Sequence, residues 1–124
     1  MIETKSAYIS KLDQDTIKIV FKPNAYLTTV EYKELYGHYQ ELLGKDDEMK
    51  FLVIVQEGFK MENKYLKFFK KDYRTDFKKA EAFVVLNPAS RMFFKIGVLV
   101  VPHSYEAKLF EKEEEAIEWL KQIQ

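Results

Sequence analysis

Apolar and polar residues alternate near the start of the chain: Tyr8, Ser10 and Leu12 interleave with Ile9 and Lys11, and Ile17, Ile19 and Phe21 with Lys18, Val20 and Lys22. With Asp13-Gln14-Asp15 between the two runs, this pattern predicts a β-hairpin that buries one face. Pro23-Asn24 breaks it. Thr28-Thr29-Val30-Glu31 then has the Thr-x-x-Glu form of a capping box, and Tyr32, Leu35, Tyr36, Tyr39, Leu42 and Leu43 recur at helical spacing up to Gly44. After the polar stretch Lys45–Glu48, Phe51 to Val55 is a continuous apolar run of strand length, as expected of a central strand covered on both faces. Glu62 to Phe77 is again helical in pattern, with Tyr65, Leu66, Phe69, Tyr73 and Phe77 on its apolar side. Ala82 to Leu86 predicts a strand. Asn87-Pro88 supplies an N-cap and a first-turn proline for a further helix, Ala107 to Phe110 a short strand, and Glu113 to Ile123 a closing helix. A strand pair followed by alternating helices and strands implies an α/β fold with a mixed sheet, of about five strands and four helices, in a single domain over residues 1–124.

Composition narrows the chemistry. Lysine plus arginine and aspartate plus glutamate both number 20, so the net charge of zero favours neither nucleic acid nor an acidic substrate. The absence of cysteine excludes disulfides, thiolate metal sites and cysteine nucleophiles. Met1 to Ser10 has no apolar core of signal-peptide length, and the longest nearly apolar run, Met92 to Pro102, is interrupted by Lys95 and falls short of the roughly 20 residues that a transmembrane segment needs. A cytoplasmic protein without a transmembrane segment is the expectation.

The order of elements, together with Ala82-Phe83-Val84-Val85, Ser90-Arg91, Pro102, Leu109-Phe110 and Glu114-Glu115-Ala116-Ile117-Glu118-Trp119-Leu120, resembles a bacterial family of small STAS-like, SpoIIAA-like proteins. The likeness in topology spans nearly the whole chain, and the likeness in motifs is confined to about the last forty residues. Anti-sigma-factor antagonists of the STAS superfamily carry a phosphorylatable serine at the start of the helix after the central strand. Here Gln56 to Asn63 contains neither serine nor threonine. The resemblance therefore implies the scaffold without that switch. Glu111, Lys112 and Glu113 stand where a better cap would precede the closing helix, although glutamates suit its positive end.

Neither His38, beside Glu34 and Glu41, nor His103, after Pro102, has metal-ligand spacing, and no G-x-S-x-G, P-loop or dinucleotide fingerprint occurs. The chain reads as non-catalytic, with no cofactor and no metal. Three surfaces stand out. Eight cations against three acids lie between Lys60 and Lys79, and Lys64, Lys67, Lys71, Arg74 and Lys78 form one stripe, with Phe68 beside it. The stripe meets anionic partners, or is a solvated face, or complements Glu111 to Glu118, which holds five glutamates and one lysine. No specific nucleic acid partner is expected. In the Pro-started helix, Ala89, Met92, Phe93 and Ile96 share the expected core face, whereas Phe94 and Val98, flanked by Arg91 and Lys95, point away as a candidate homodimer interface. The alternative is that the chain is extended, and buried, from Gly97 onward. Finally, Asn87, Ser90 and Arg91 at the start of that helix form a candidate anion site. The function expected is a non-catalytic interaction or regulatory module, homodimeric and with an unidentified protein partner; the alternative is a protein that binds a small apolar or anionic, lipid-like ligand. Trp119 should pack against the sheet or a neighbouring helix.

Overall fold

The alternation near the N-terminus forms the hairpin it predicts: β2 (Ala7–Asp13) and β3 (Thr16–Phe21) pair antiparallel, Ile9 opposite Ile19, across a turn in which Asp13 Oδ1 accepts from the Asp15 N–H at 2.8 Å. This is a computed structural model, and it describes residues 1–43, 48–62, 78–95 and 105–123. A two-residue strand that the sequence does not announce, β1 (Ile2–Glu3), adds to the outer side of β2. On the other side of β3 come β5 (Met49–Val55), β7 (Lys78–Val85) and β8 (Glu106–Phe110), all parallel to β3, so the six-stranded sheet runs β1-β2-β3-β5-β7-β8. A separate parallel pair joins β4 (Tyr26–Leu27) to β6 (Lys60–Met61).

Three helices are described. Helix α1 (Thr29–Leu43) is capped by Thr28, whose Oγ1 accepts from the Glu31 N–H at 3.2 Å. The reciprocal half of the capping box is replaced: the carboxylate of Glu62, brought in after β6, accepts from the Thr29 N–H at 2.9 Å. Tyr32, Leu35, Tyr39 and Leu43 are buried by α1 against Ile17, Ile19, Phe51 and Val53 on one face of the sheet. Helix α2 (Pro88–Phe93) follows β7, and α3 (Glu113–Gln122) lies over β5, β7 and β8 on the opposite face, where Ala116 and Leu120 meet Leu52, Ala82, Val84 and Phe110. Strand β5 is thus covered on both faces, which is why its sequence is apolar without alternation.

The basic helix expected over Glu62 to Phe77 lies outside the described residues beyond Glu62, and Lys64, Lys67, Lys71 and Arg74 with it; so do Val98 and His103. Lys78 corrects the reading of the stripe. It is the first residue of β7, four residues ahead of the expected start of that strand, and is 7% exposed. Its neighbour Lys79 is an extra residue in the β5–β7 ladder, between the pairs Met49–Lys78 and Lys50–Ala80. An inserted residue reverses the facing of what precedes it, so Lys78 lies on the α1 side of the sheet with Glu81, not in a solvated stripe.

One turn depends on glycine. Gly58, after β5, has φ of +79° and faces Asn24, itself at φ 61°, whose N–H donates to the Glu57 carbonyl at 2.8 Å. A Cβ on Gly58 would stand 1.9 Å from Asn24 Oδ1 and 3.1 Å from Asn24 Cα. Gly58→Ala should therefore lose about 1–3 kcal/mol from backbone strain and displaced contacts; unchanged urea midpoints would show that the turn yields freely.

Candidate functional site

Helix α2 is where the sequence expects an interface, and the structure turns that helix around. Asn87 caps it as predicted, accepting from the Ala89 N–H at 2.9 Å and the Ser90 N–H at 3.3 Å, with Pro88 in the first turn. The backbone amides expected to hold an anion are thus engaged by Asn87, and Arg91 is engaged by the Glu111 carboxylate beyond β8. Phe94 is not an interface residue: it is 1% exposed, within 5.2 Å of the Phe83 ring and 6.0 Å of the Phe59 ring between centroids. Met92 and Phe93, expected in the core, are 58% and 41% exposed. The helix is short and passes at Phe94–Lys95 into a wider π-type turn, which shifts the phase of its side chains so that its last aromatic residue, rather than its middle, anchors it.

What results is a set of exposed apolar side chains on α2 and just before it. Leu86, exposed at 69%, ends the segment from β7, and Met92 and Phe93 follow on α2. Beside them an open groove of about 390 Å³ runs between α2 and the end of β8, with Pro88 and Met92 on one wall, Leu109 and Phe110 on the other, and Arg91, Lys95 and Glu111 supplying charges of both signs. Such a groove can receive an apolar side chain and orient it by its charged rim.

On the far side of Phe110 lies a second, more open groove. Trp119 is half-buried, its ring 5.6 Å from that of Phe110, and Glu114, Glu115 and Glu118 stand around it. Lys108 Nζ sits 5.4 Å from the Phe110 ring centroid. The acidic first turn also serves the helix: Lys112 gives no side-chain cap, so Glu113 to Glu115 offset the positive end of α3, and Glu113 reaches Lys18 on β3 at 3.2 Å.

Beneath α1 lies a polar cluster that the sequence does not single out. Lys78 Nζ and Glu81 Oε2 are 3.1 Å apart with both side chains almost fully buried, and the Tyr105 hydroxyl donates to Glu81 Oε1 at 2.9 Å. Lys78 also stands 5.2 Å from the Phe51 ring centroid and 5.5 Å from that of Tyr105. Burial, and then the Glu81 charge, push the pKa of the Tyr39 hydroxyl well above its ordinary value. The available signal was Lys78-x-x-Glu81 before an apolar run, which resembles a helical i, i+3 pair and is brought together instead by the bulge. The groups neutralise one another away from solvent. His38 lies on α1 as expected between Glu34 and Glu41, at 4.0 and 3.8 Å. Among the described residues no three histidine, aspartate or glutamate side chains converge as a metal site would require, and no helix is long and apolar enough to cross a membrane.

Comparison with known structures places this architecture. It is similar, with a TM-score of 0.62 and 18% identity, to the crystal structure of an uncharacterised protein of the DUF3478 family with a SpoIIAA-like fold from Shewanella loihica PV-4; the match covers 97% of this chain and 98% of that one. At that identity the likeness establishes the fold, which is SpoIIAA-like as the sequence motifs imply, and carries no residue roles. A search of curated proteins returned no match. Over residues 10–124 the sequence matches the family Domain of unknown function (DUF7793), and the chain belongs to that family.

Proposed function

We propose that this chain is a non-catalytic interaction module of the cytoplasm that pairs with a second copy of itself through the apolar surface around α2. The observation that carries the reading is the exposure of Met92 and Phe93 on α2, with Met92 lining a groove that also holds Arg91, Lys95 and Glu111. Large apolar side chains gathered at a surface mark association sites, and a two-fold interface must be self-complementary. This one supplies both an apolar ridge and an apolar groove, and both signs of charge. The polar cluster beneath α1 supports a structural rather than a chemical role for the ionisable groups inside the fold, because its acid, base and hydroxyl already satisfy one another.

Light scattering on the purified protein should give twice the 14.8 kDa chain mass. Met92→Glu with Phe93→Glu should give a folded monomer, since two carboxylates would have to be desolvated in the interface. A wild-type protein that stays monomeric at high concentration would refute the proposal.

A further inference from the structure

The two edges of the six-stranded sheet differ. At one of them β1 is two residues long, whereas β8, at the other, is a strand of five, Glu106–Phe110. Its inner side pairs with β7 from Ala80–Glu106 to Val84–Phe110 without a break in register. Along its outer side it makes no backbone hydrogen bond to any described residue. An unpaired edge is a template for another strand, and proteins blunt it with proline, a bulge or charge. β8 contains no proline and no bulge, and its charges are Glu106 and Lys108. Both are exposed, and both lie on the α3 face of the sheet, because they pair with Ala80 and Ala82, which are buried on that face. Neither has an ion-pair partner among the described residues.

A second copy of the chain supplies the strand that fits this edge. When two identical edges pair about a two-fold axis, the strands run antiparallel and opposed residues share a face, so one residue of β8 lies opposite itself. The charges select that residue. An axis on Glu106 or on Lys108 sets like charges directly opposite, which is unfavourable, and an axis on Leu109 sets Lys108 against an aromatic ring and leaves Glu106 without an opposite residue in the strand. An axis on Ala107 sets Glu106 opposite Lys108 of the partner subunit and Lys108 opposite Glu106 of the partner subunit, with the smallest side chain of the strand at the centre. In the same register Leu109 meets Tyr105 of the partner subunit. Leu109 and Phe110 also wall the α2 groove, so the strand edge and the groove form one continuous surface.

We propose that two copies join edge to edge through β8, antiparallel and centred on Ala107, so that their two six-stranded sheets become one. The inference rests on the self-association proposed above and specifies its seam. Backbone hydrogen bonds hold the strands together, and the two Glu106–Lys108 pairs fix the register. The alternative is that Glu106 and Lys108 only keep a bare edge solvated. A solvated edge is indifferent to the order of its charges, whereas a paired edge is not.

The test is a charge swap on the full chain, read by sedimentation equilibrium. Glu106→Lys and Lys108→Glu should each weaken the dimer about tenfold, because each places like charges opposite one another twice across the axis. The double variant, Glu106→Lys with Lys108→Glu, should return to within about threefold of wild type, since it restores both pairs. Both positions are exposed, so the variants should fold. A second measurement uses the absence of native cysteine. Opposed Cβ atoms in an antiparallel pair are about 4.5–5.5 Å apart, so Ala107→Cys should be bridged to a covalent dimer by dibromobimane, a short thiol cross-linker, while Gln14→Cys in the hairpin turn should not. Single swaps that leave the dimer unchanged, a double swap no better than the singles, or a dimer in which Ala107→Cys is not bridged would each overturn the seam. The α2 reading has its own test. A dimer abolished by Met92→Glu with Phe93→Glu but indifferent to the swaps sinks the seam alone, a dimer sensitive to the swaps that survives the α2 changes supports the seam and sinks the α2 reading, and a wild-type monomer sinks both.

Discussion

Glu81→Leu is expected to destabilise the fold by about 3–5 kcal/mol, because it leaves the Lys78 ammonium charged and buried beside Phe51 without its carboxylate. Lys78→Met alone should cost a similar amount for the converse reason. The two changes should not add. With Lys78→Met and Glu81→Leu together, two apolar side chains of comparable length would replace the ion pair, and the loss should shrink to near zero or become a gain of about 1–4 kcal/mol. Tyr105 sets a limit to that gain: its hydroxyl loses Glu81 as acceptor, but it is half-buried and can turn to water. Urea unfolding of the four proteins of the cycle measures the coupling directly. Additive losses in the two single variants would show that the pair contributes little beyond packing.

The second large effect separates neighbours on α2. Phe94→Ala should cost about 3–5 kcal/mol, since it empties a fully buried aromatic position between Phe59 and Phe83. Phe93→Ala, one residue earlier and 41% exposed, should leave stability within about 0.5 kcal/mol and instead weaken self-association. Thermal melts and light scattering on the same two proteins resolve these outcomes. If Phe93→Ala unfolds the protein and Phe94→Ala does not, the phase of the helix is the one expected from its sequence rather than the one described.

That contrast shows where sequence reasoning reached and where it stopped. The hairpin, α1 and the central strand are legible because each repeats its period several times: Ile17, Ile19 and Phe21 define a strand face, and Tyr32, Leu35, Tyr39 and Leu43 a helix face. Helix α2 has six residues, too few for its apolar positions to choose between faces, and the wider turn at Phe94 then alters the spacing. Lys78 was misread because charge followed the sequence while facing followed the bulge at Lys79. The SpoIIAA-like likeness, read from the C-terminal motifs, holds for the fold.

The order β3-β5-β7-β8 has a consequence in time. Each parallel strand lies beside the one that precedes it in the chain, so the sheet grows in one direction from the hairpin and no later strand must be inserted between two earlier ones. During synthesis the hairpin, α1 and β5 can associate as soon as they are available, and each following strand finds its docking edge already formed. Helix α3 follows β8 and packs over Leu52, Ala82 and Val84 on the second face. Until α3 docks, Leu52, Ala82 and Val84 lack the cover that Ala116 and Leu120 give them, and that interval leaves the growing chain exposed to aggregation.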